Sequence, residues 1–366
     1  GKTAFHGPFS TAKTLKEPEA PPYETRMTRV LCSGSLMCDI IAAGLPRLGG
    51  PGELVYAPKG IGVHVGGHSA NVAIDLAQLG QKGVAVAGCV GEDVLGAFIE
   101  SELRGRGLEA YVERSRESHT AKNLAIVVVG EDRRPYAELA ANTMLSPEHV
   151  LMALEETRPG VFYQGTVGGL RHVDRRLDEV LERAGRLGCM TFVDAVMPQD
   201  EGWGKLLGSL RLIDILHCND LESRALTGEG DPSAASESLL DRGVGLSLIT
   251  MGERGVMAAV GGLRIALPPF TVEAIDPTGA GDAFCAGIVH AILQAGLRRE
   301  DLAHVNPETL RYVLLEGAAA GAACVTAVGA TKAVTREAVD ELIRDQADSV
   351  WAGASVRAPR YRCCPA

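Results

Sequence analysis

From Thr28 onward, short apolar runs alternate with stretches whose apolar residues recur at helical spacing. The runs predict strands at Arg29–Cys32, Gly83–Ala87, Leu124–Val129, Val161–Tyr163, Met190–Asp194, Ile213–His217, Leu246–Thr250, Val256–Val260 and Leu263–Ala266. Most are continuously apolar, as strands covered on both faces of a parallel sheet are. Between them the periodicity predicts helices over Ser69–Leu79, Val94–Arg104, Arg171–Leu187 and Ala280–Ala295. A glycine follows each (Gly80, Gly105, Gly188, Gly296) and supplies a left-handed C-terminal cap. Repeated strand–helix alternation makes a three-layer α/β/α sandwich with a mostly parallel central sheet.

Two segments break the rhythm. Residues 40–65 are rich in Gly and Pro with short extended pieces, and residues 109–141 read as strands broken by a polar tip at Gly130–Arg134. Such strands could pair into a small β-sheet lid over the ligand edge of the main sheet; ordinary surface hairpins are the alternative. The expected organisation is an N-terminal extension over 1–27, one domain over 28–347 with a discontinuous lid (about 40–65 and 109–141), and a C-terminal tail over 348–366. Residues 1–27 are polar and Pro-rich without the apolar segment of a secretory signal, so they read as a poorly ordered extension, with organelle targeting as the alternative.

Composition narrows the function classes. The 366 residues carry 36 basic and 46 acidic side chains, a net charge of −10, which argues against nucleic-acid and anionic-membrane partners. No apolar run has the length of a membrane span. Nine cysteines, mostly inside apolar runs, read as small buried hydrophobes in a reducing compartment, and so as a cytoplasmic protein. The Cys363–Cys364 pair reads as part of an exposed tail, with a reactive thiol as the alternative. Only 4% of residues are aromatic while 44 are Gly, so the core must be built from Ala, Val, Leu and Ile with many tight turns.

The chemistry concentrates in AIDPTGAGDAF (Ala274–Phe284). Gly279, Ala280 and Gly281 form a turn narrow enough for backbone N–H groups to converge at the start of an apolar helix, a ready anion site. Asp282 beside it could take a proton from an attacking hydroxyl while the turn holds a transferring phosphoryl group, or could simply cap the helix. Neither G-x-x-x-x-G-K-[ST] nor G-x-G-x-x-G occurs, so this turn is the one good phosphate device in the sequence. Elsewhere, VGGHSANVA (Val65–Ala73) places two Gly before a helix carrying Asn71, and CSGSLMCD (Cys32–Asp39) ends the first strand in a loop with a lone carboxylate. Asn219 and Glu222 (NDLE) follow a later strand, and Thr250, Gly252 and Gly255 (TMGERG) follow the next. Taken singly, these loops are also what ordinary strand ends contain.

In this order and spacing the motifs resemble the ribokinase-like (PfkB) family of carbohydrate and nucleoside kinases, over about Thr28 to Ala347. The resemblance implies ATP and Mg²⁺ as cofactors, Asp282 as catalytic base, and Gly279, Ala280 and Gly281 as its anion hole. It implies that Asp39, Gly66, Gly67 and Asn71 hold substrate hydroxyls and that Asn219, Glu222, Thr250, Gly252 and Gly255 serve the nucleotide, Glu222 acting on Mg²⁺ through water. Asp276, Thr278 and Gly329 look like the family's monovalent-cation (K⁺) site. Many relatives form homodimers through the lid.

Departures from subgroup patterns address the substrate. His68 stands where ribokinases and phosphosugar kinases carry Lys, and Met37 where ribokinase tends to have Asn. Glu138 occupies roughly the place of an Arg that reads the acid group in ketodeoxygluconate kinases, and would repel a carboxylate. The expectation is a kinase of a neutral sugar. A nucleoside kinase, an inactive sugar-binding paralogue and a chance α/β metabolite binder are the alternatives. With no sequence-level aromatic box for a base, the nucleoside reading is the weaker of the first two.

Overall fold

The computed structural model describes residues 29–131, 134–198 and 202–357. Expectations for residues 1–28 and for Cys363–Cys364, and part of the proposed tip at Gly130–Arg134, lie outside the described residues.

Strands in chain order are β1 (Val30–Ser33), β2 (Met37–Leu45), β3 (Ile61–Gly66), β4 (Val84–Gly91), β5 (Glu109–Ser115), β6 (Ala121–Val128), β7 (Arg134–Ala137), β8 (Val161–Val167), β9 (Met190–Ala195), β10 (Ile215–Asn219), β11 (Leu246–Thr250), β12 (Val256–Val260), β13 (Leu263–Leu267) and β14 (Ser355–Arg357). Helices are α1 (His68–Gln78), α2 (Val94–Gly105), α3 (Pro147–Thr157), α4 (Arg171–Arg175), α5 (Leu177–Arg186), α6 (Gly204–Ser209), α7 (Asp220–Thr227), α8 (Pro232–Asp241), α9 (Ala280–Gln294), α10 (Pro307–Cys324) and α11 (Arg336–Ala352).

Ten strands form the central sheet in the order β14-β13-β12-β11-β10-β9-β8-β1-β4-β5, and four form a separate sheet, β3-β2-β6-β7. The pairings from β11 through β5 are parallel and those from β11 to β14 antiparallel. Side chains alternate between two cores, as the pleat requires. Val30, Cys32, Val84 and Val86 pack with α1, α9 and α10 on one face, while Leu31, Ala85 and Ala87 pack with α3 and α5 on the other. That is the expected three-layer sandwich with a small extra sheet.

Several boundaries move. Glu109–Ser115, assigned above to the lid, instead pairs in parallel with β4 along the edge of the central sheet. It is half polar and only partly buried because it is the edge strand, paired on one side alone. The lid starts earlier than residue 40, with β2 at Met37, so Asp39 lies in a lid strand rather than in a loop. The helix expected over Arg171–Leu187 breaks at Arg176, whose backbone leaves the helical region (φ −124°, ψ 29°). Gly105 closes no helix: it lies within the last turn of α2, and Gly107 takes the left-handed position. Nor does the domain stop at residue 347: α11 continues to Ala352, and Arg264–Ala266 of β13 pair with Ser355–Arg357.

No helix among the described residues is long and apolar enough to cross a membrane. The seven cysteines among them are all buried.

Candidate active site

A cavity of about 430 Å³ lies between the lid and the carboxyl ends of the central strands. Six of the residues expected at a site line it: Asp39, Gly67, Asn71, Thr278, Gly279 and Asp282. A larger hollow of about 750 Å³ sits at the opposite edge of β10 and β11, where Arg299 is paired with Asp214 at 2.9 Å; no expected site residue lines it.

The lid contributes Asp39, whose Oδ1 accepts from Asn123 Nδ2 of the neighbouring β6 at 3.1 Å. The double glycine serves close approach. A Cβ on Gly66 would fall 2.1 Å from Asp39 Oδ2, and one on Gly67 (φ +95°) would fall 2.4 Å from the Ser35 carbonyl. The loop after β1 is fixed by Asn142, which bonds both the N–H and the carbonyl of Leu36 at 2.8 and 3.0 Å.

Strand β8 ends irregularly, its register with β9 slipping between Gln164 and Val167, and Thr166 adopts φ +59°. A β-branched residue in that region is strained and must be held there. Its hydroxyl is held by Ser35 Oγ at 2.8 Å and His68 Nδ1 at 2.9 Å. His68 is thereby oriented with Nε2 3.9 Å from Asp282 Oδ1.

Asp282 is the third residue of α9 and is buried. Its Oδ2 accepts from Asn71 Nδ2 at 2.8 Å, whereas Oδ1 accepts no hydrogen bond from the described residues. Burial raises its pKa above the usual carboxylate range and Asp194 adds to the shift, against the pull of His68, Asn71 and His217. Burial draws the His68 imidazole down, but Asp282, Asp194 and Glu222 outweigh it and leave the pKa above the ordinary histidine value. Among the described lining residues His68 is the one side chain that can carry positive charge, and there is no Lys, Arg, Phe, Tyr or Trp.

The turn before α9 is tight. Gly279 is left-handed (φ +79°), and a Cβ there would lie 2.6 Å from Ala330 in the loop that follows α10. The Ala280 N–H turns back to the Pro277 carbonyl at 3.3 Å. Gly281 and Asp282 occupy first-turn positions, whose N–H groups have no intrahelical acceptor. An anion at this point therefore meets backbone donors and the positive end of a 15-residue helix.

The remaining expected residues lie outside the cavity. Asn219 and Glu222 form a reciprocal capping box at the start of α7, with bonds of 2.7 and 2.8 Å. Glu222 is buried, and burial raises its pKa. Thr250 ends β11, and Gly252 and Gly255 shape the tight connection to β12. Asp276 gathers one loop: Oδ1 accepts from Thr278 N and Oγ1 at 3.0 and 2.5 Å, and Oδ2 from Gly329 N at 3.0 Å.

One reading is corrected. Glu138 does not line the cavity; its carboxylate is instead bonded by Lys122 at 2.7 Å and His119 at 3.0 Å. Sequence reasoning also passed over Ser35, Asn123, Thr166, Asp194 and His217. Asp194 carried a readable signal, since it puts an ionisable group near the end of a largely apolar strand.

Known structures share this architecture. The Xylella fastidiosa fructokinase solved with bound ATP superposes with a TM-score of 0.73 at 23% identity, covering 87% of this chain and 99% of its own. The Thermotoga maritima ribokinase gives 0.68 at 23% identity, with the same coverage. The fold is thus ribokinase-like. The model of the pfkB family carbohydrate kinases matches residues 27–337, and the chain belongs to that family, whose members are phosphotransferases with an alcohol group as acceptor. Among curated relatives, the Haemophilus influenzae ribokinase is 28% identical over 320 residues (85% of this chain, 96% of the relative). A probable fructokinase-4 of Arabidopsis thaliana is 26% identical over 323 residues (84% and 94%).

Proposed function

We propose that the protein transfers the γ-phosphoryl group of ATP to a hydroxyl of a neutral sugar. The observation that carries this reading is the juxtaposition, in one cavity, of the buried Asp282 carboxylate, whose Oδ1 accepts no hydrogen bond among the described residues, with Gly279 at the N-terminal turn of α9. Among the described lining residues no Lys or Arg is available to an acidic substrate, and no Phe, Tyr or Trp to a nucleobase. Both absences favour a neutral sugar over a sugar acid, a phosphosugar or a nucleoside.

Asp39, Asn71 and the Gly66–Gly67 backbone orient the sugar by hydrogen bonds. Asp282 accepts the proton of the attacking hydroxyl through Oδ1. Asn71 keeps the carboxylate facing the substrate, and its bond to Oδ2 lowers the pKa against the upward push of burial. Bound Mg²⁺–ATP supplies the transferable phosphoryl group and part of the charge that offsets it. Its fit rests on the left-handed Gly279 turn, where a Cβ would strike Ala330 and displace the turn, and on the buried Glu222 carboxylate, which a hydrated cation would help keep ionised. Gly281 and its neighbours hold the transferring group by backbone N–H donors already in place. Asn219, Thr250, Gly252 and Gly255 border the nucleotide. A monovalent cation in the loop of Asp276, Thr278 and Gly329 would act by offsetting the Asp276 charge, and comparing K⁺ with a large organic cation reads that contribution.

The outward row of the lid supports a homodimer. Val63, Ile40, Leu124 and Tyr136 are paired in register across its four strands, and Val63, Leu124 and Tyr136 are exposed. The activity is tested by following ADP release with Mg²⁺–ATP over a panel of hexoses, pentoses, sugar acids and nucleosides. Turnover with neutral sugars is expected. Selective turnover of an acid or a nucleoside would overturn the substrate class, and no turnover with any of them would remove the kinase reading.

A further inference from the structure

Beneath Asp282, four side chains from four neighbouring central strands form one hydrogen-bonded row. Tyr163 of β8 donates its hydroxyl to Asp194 Oδ2 at 2.7 Å. Asp194 Oδ1, on β9, meets His217 Nδ1, on β10, at 2.6 Å. His217 Nε2 reaches Thr250 Oγ1, at the end of β11, at 3.1 Å. Tyr163, Asp194 and His217 are buried. The imidazole also lies against the first turn of α9: a Cβ on Gly281 would sit 3.4 Å from its Cε1, and the Phe284 ring centroid is 5.5 Å away.

A second carboxylate close to the proposed base poses an electrostatic problem. An unpaired Asp194 charge in the interior would be costly and would hold the proton on Asp282. It would also repel an incoming phosphoryl group. His217 bridges Asp194 on one side and Thr250 on the other, an arrangement that a doubly protonated ring satisfies with two N–H donors. We propose that His217 is a positioning residue of the transfer site: as an imidazolium it cancels the Asp194 charge beneath the anion turn and ties that turn to the β11 end. This rests on the kinase reading above and adds a residue that the reading does not use.

The electrostatic balance is consistent with the geometry. Burial pulls the His217 pKa down, but Asp194, by charge and hydrogen bond, brings it above the ordinary histidine value. Burial pushes Asp194 up, and the imidazole holds it below the usual range. The other ionisable groups facing the ring are Asp282 and Cys285 from α9, Glu222 from α7 and His68 from α1; Asp75, also on α1, faces Asp282.

The test compares the full chain with His217→Gln, His217→Lys, Asp194→Asn and the double variant His217→Gln/Asp194→Asn. With saturating sugar and Mg²⁺–ATP, removing the cation in His217→Gln should move the acid limb of the kcat profile up by about one pH unit or more. Removing both charges should bring the limb back down, and His217→Lys should leave it near its original position. An unmoved limb in His217→Gln, or a double variant whose limb stays displaced, overturns the proposal. Histidine ¹⁵N spectra decide the charge state independently of turnover, the His217 signal being assigned by its loss in His217→Gln. A doubly protonated ring at pH 7.5 in the wild type, becoming neutral in Asp194→Asn, supports the proposal, and a neutral ring in the wild type overturns it. A wild type without sugar-kinase turnover sinks the functional reading, while the spectra still decide the charge.

Discussion

Along β8 of the central sheet every residue is buried, whereas lid strand β3 is exposed at Ile61, Val63 and His64. The two sheets meet the same cavity from opposite sides and bring different things to it. The central sheet presents its strand ends and a helix N-terminus, fixed by cores on both faces, together with the carboxylate whose pKa burial raises. The lid presents Asp39 and Asn123 from strands that have little core behind them: only Ala42, Leu45 and Val128 are buried in its own cluster. Chemistry that needs a fixed electrostatic environment therefore belongs on the central side. Recognition that must open and close around a ligand belongs on the lid.

The sharpest way to break this division is at Asp282. Asp282→Asn keeps the shape and the Asn71 contact but removes the proton acceptor, so kcat should fall about 10²–10⁴-fold, with sugar and nucleotide affinities by calorimetry largely retained. Normal kcat would move the base elsewhere. The wild-type pH profile carries the same argument: activity should fall as pH drops through the Asp282 pKa, and that limb should lie above the ordinary carboxylate range because burial raises the value.

Next in size is Asp39→Ala. Losing a charged hydrogen-bond partner of the sugar costs about 1.5–3 kcal/mol, or roughly 10–100-fold in kcat/KM, and a lid residue should show it mainly in KM. A loss confined to kcat would place Asp39 among the transfer groups and blur the distinction. A smaller and purely assembly-level effect is expected for Leu124→Glu, on the outward row of the lid. Light scattering should show a shift from dimer to monomer, because the change buries a charge at an apolar contact. Dimers that persist unchanged would exclude this row as the interface.

The difference between the sheets also explains what could be read from the chain. Strands β9, β10 and β11 were legible because strands covered on both faces are mostly apolar, even with Thr191, Asp194, His217 and Ser247 among them. The α9 turn was legible because Pro277, Gly279 and Gly281 constrain backbone geometry locally. β5 was misplaced because an edge strand and a lid strand have the same half-polar pattern, and only pairing with β4 distinguishes them. Asp194 and His217 were overlooked as site residues because their meaning lies in a contact across strands, 23 residues apart in sequence. Thr166 gave no signal at all, since its role depends on a slipped register and a left-handed backbone.

The smallest expected effect falls at the position where local sequence logic and geometry disagree. By position alone, Glu138 looks like a gatekeeper against acidic sugars, and removing its charge would then admit them. In the fold its carboxylate is bonded by Lys122 and His119, which lower its pKa, and it does not line the cavity. Glu138→Gln should therefore leave kcat/KM for the neutral sugar within about twofold, the range expected of a solvent-exposed ion pair. It should also create no activity toward the corresponding sugar acid. Exclusion of acids would then have to come from the cavity itself, where Asp39 and Asp282 supply negative charge and His68 is the one side chain among the described lining residues that can carry positive charge. A clear gain of activity on the acid in Glu138→Gln would instead mean that the lid closes far enough to bring Glu138 over the substrate, and would make the lid a source of charge as well as of hydrogen bonds.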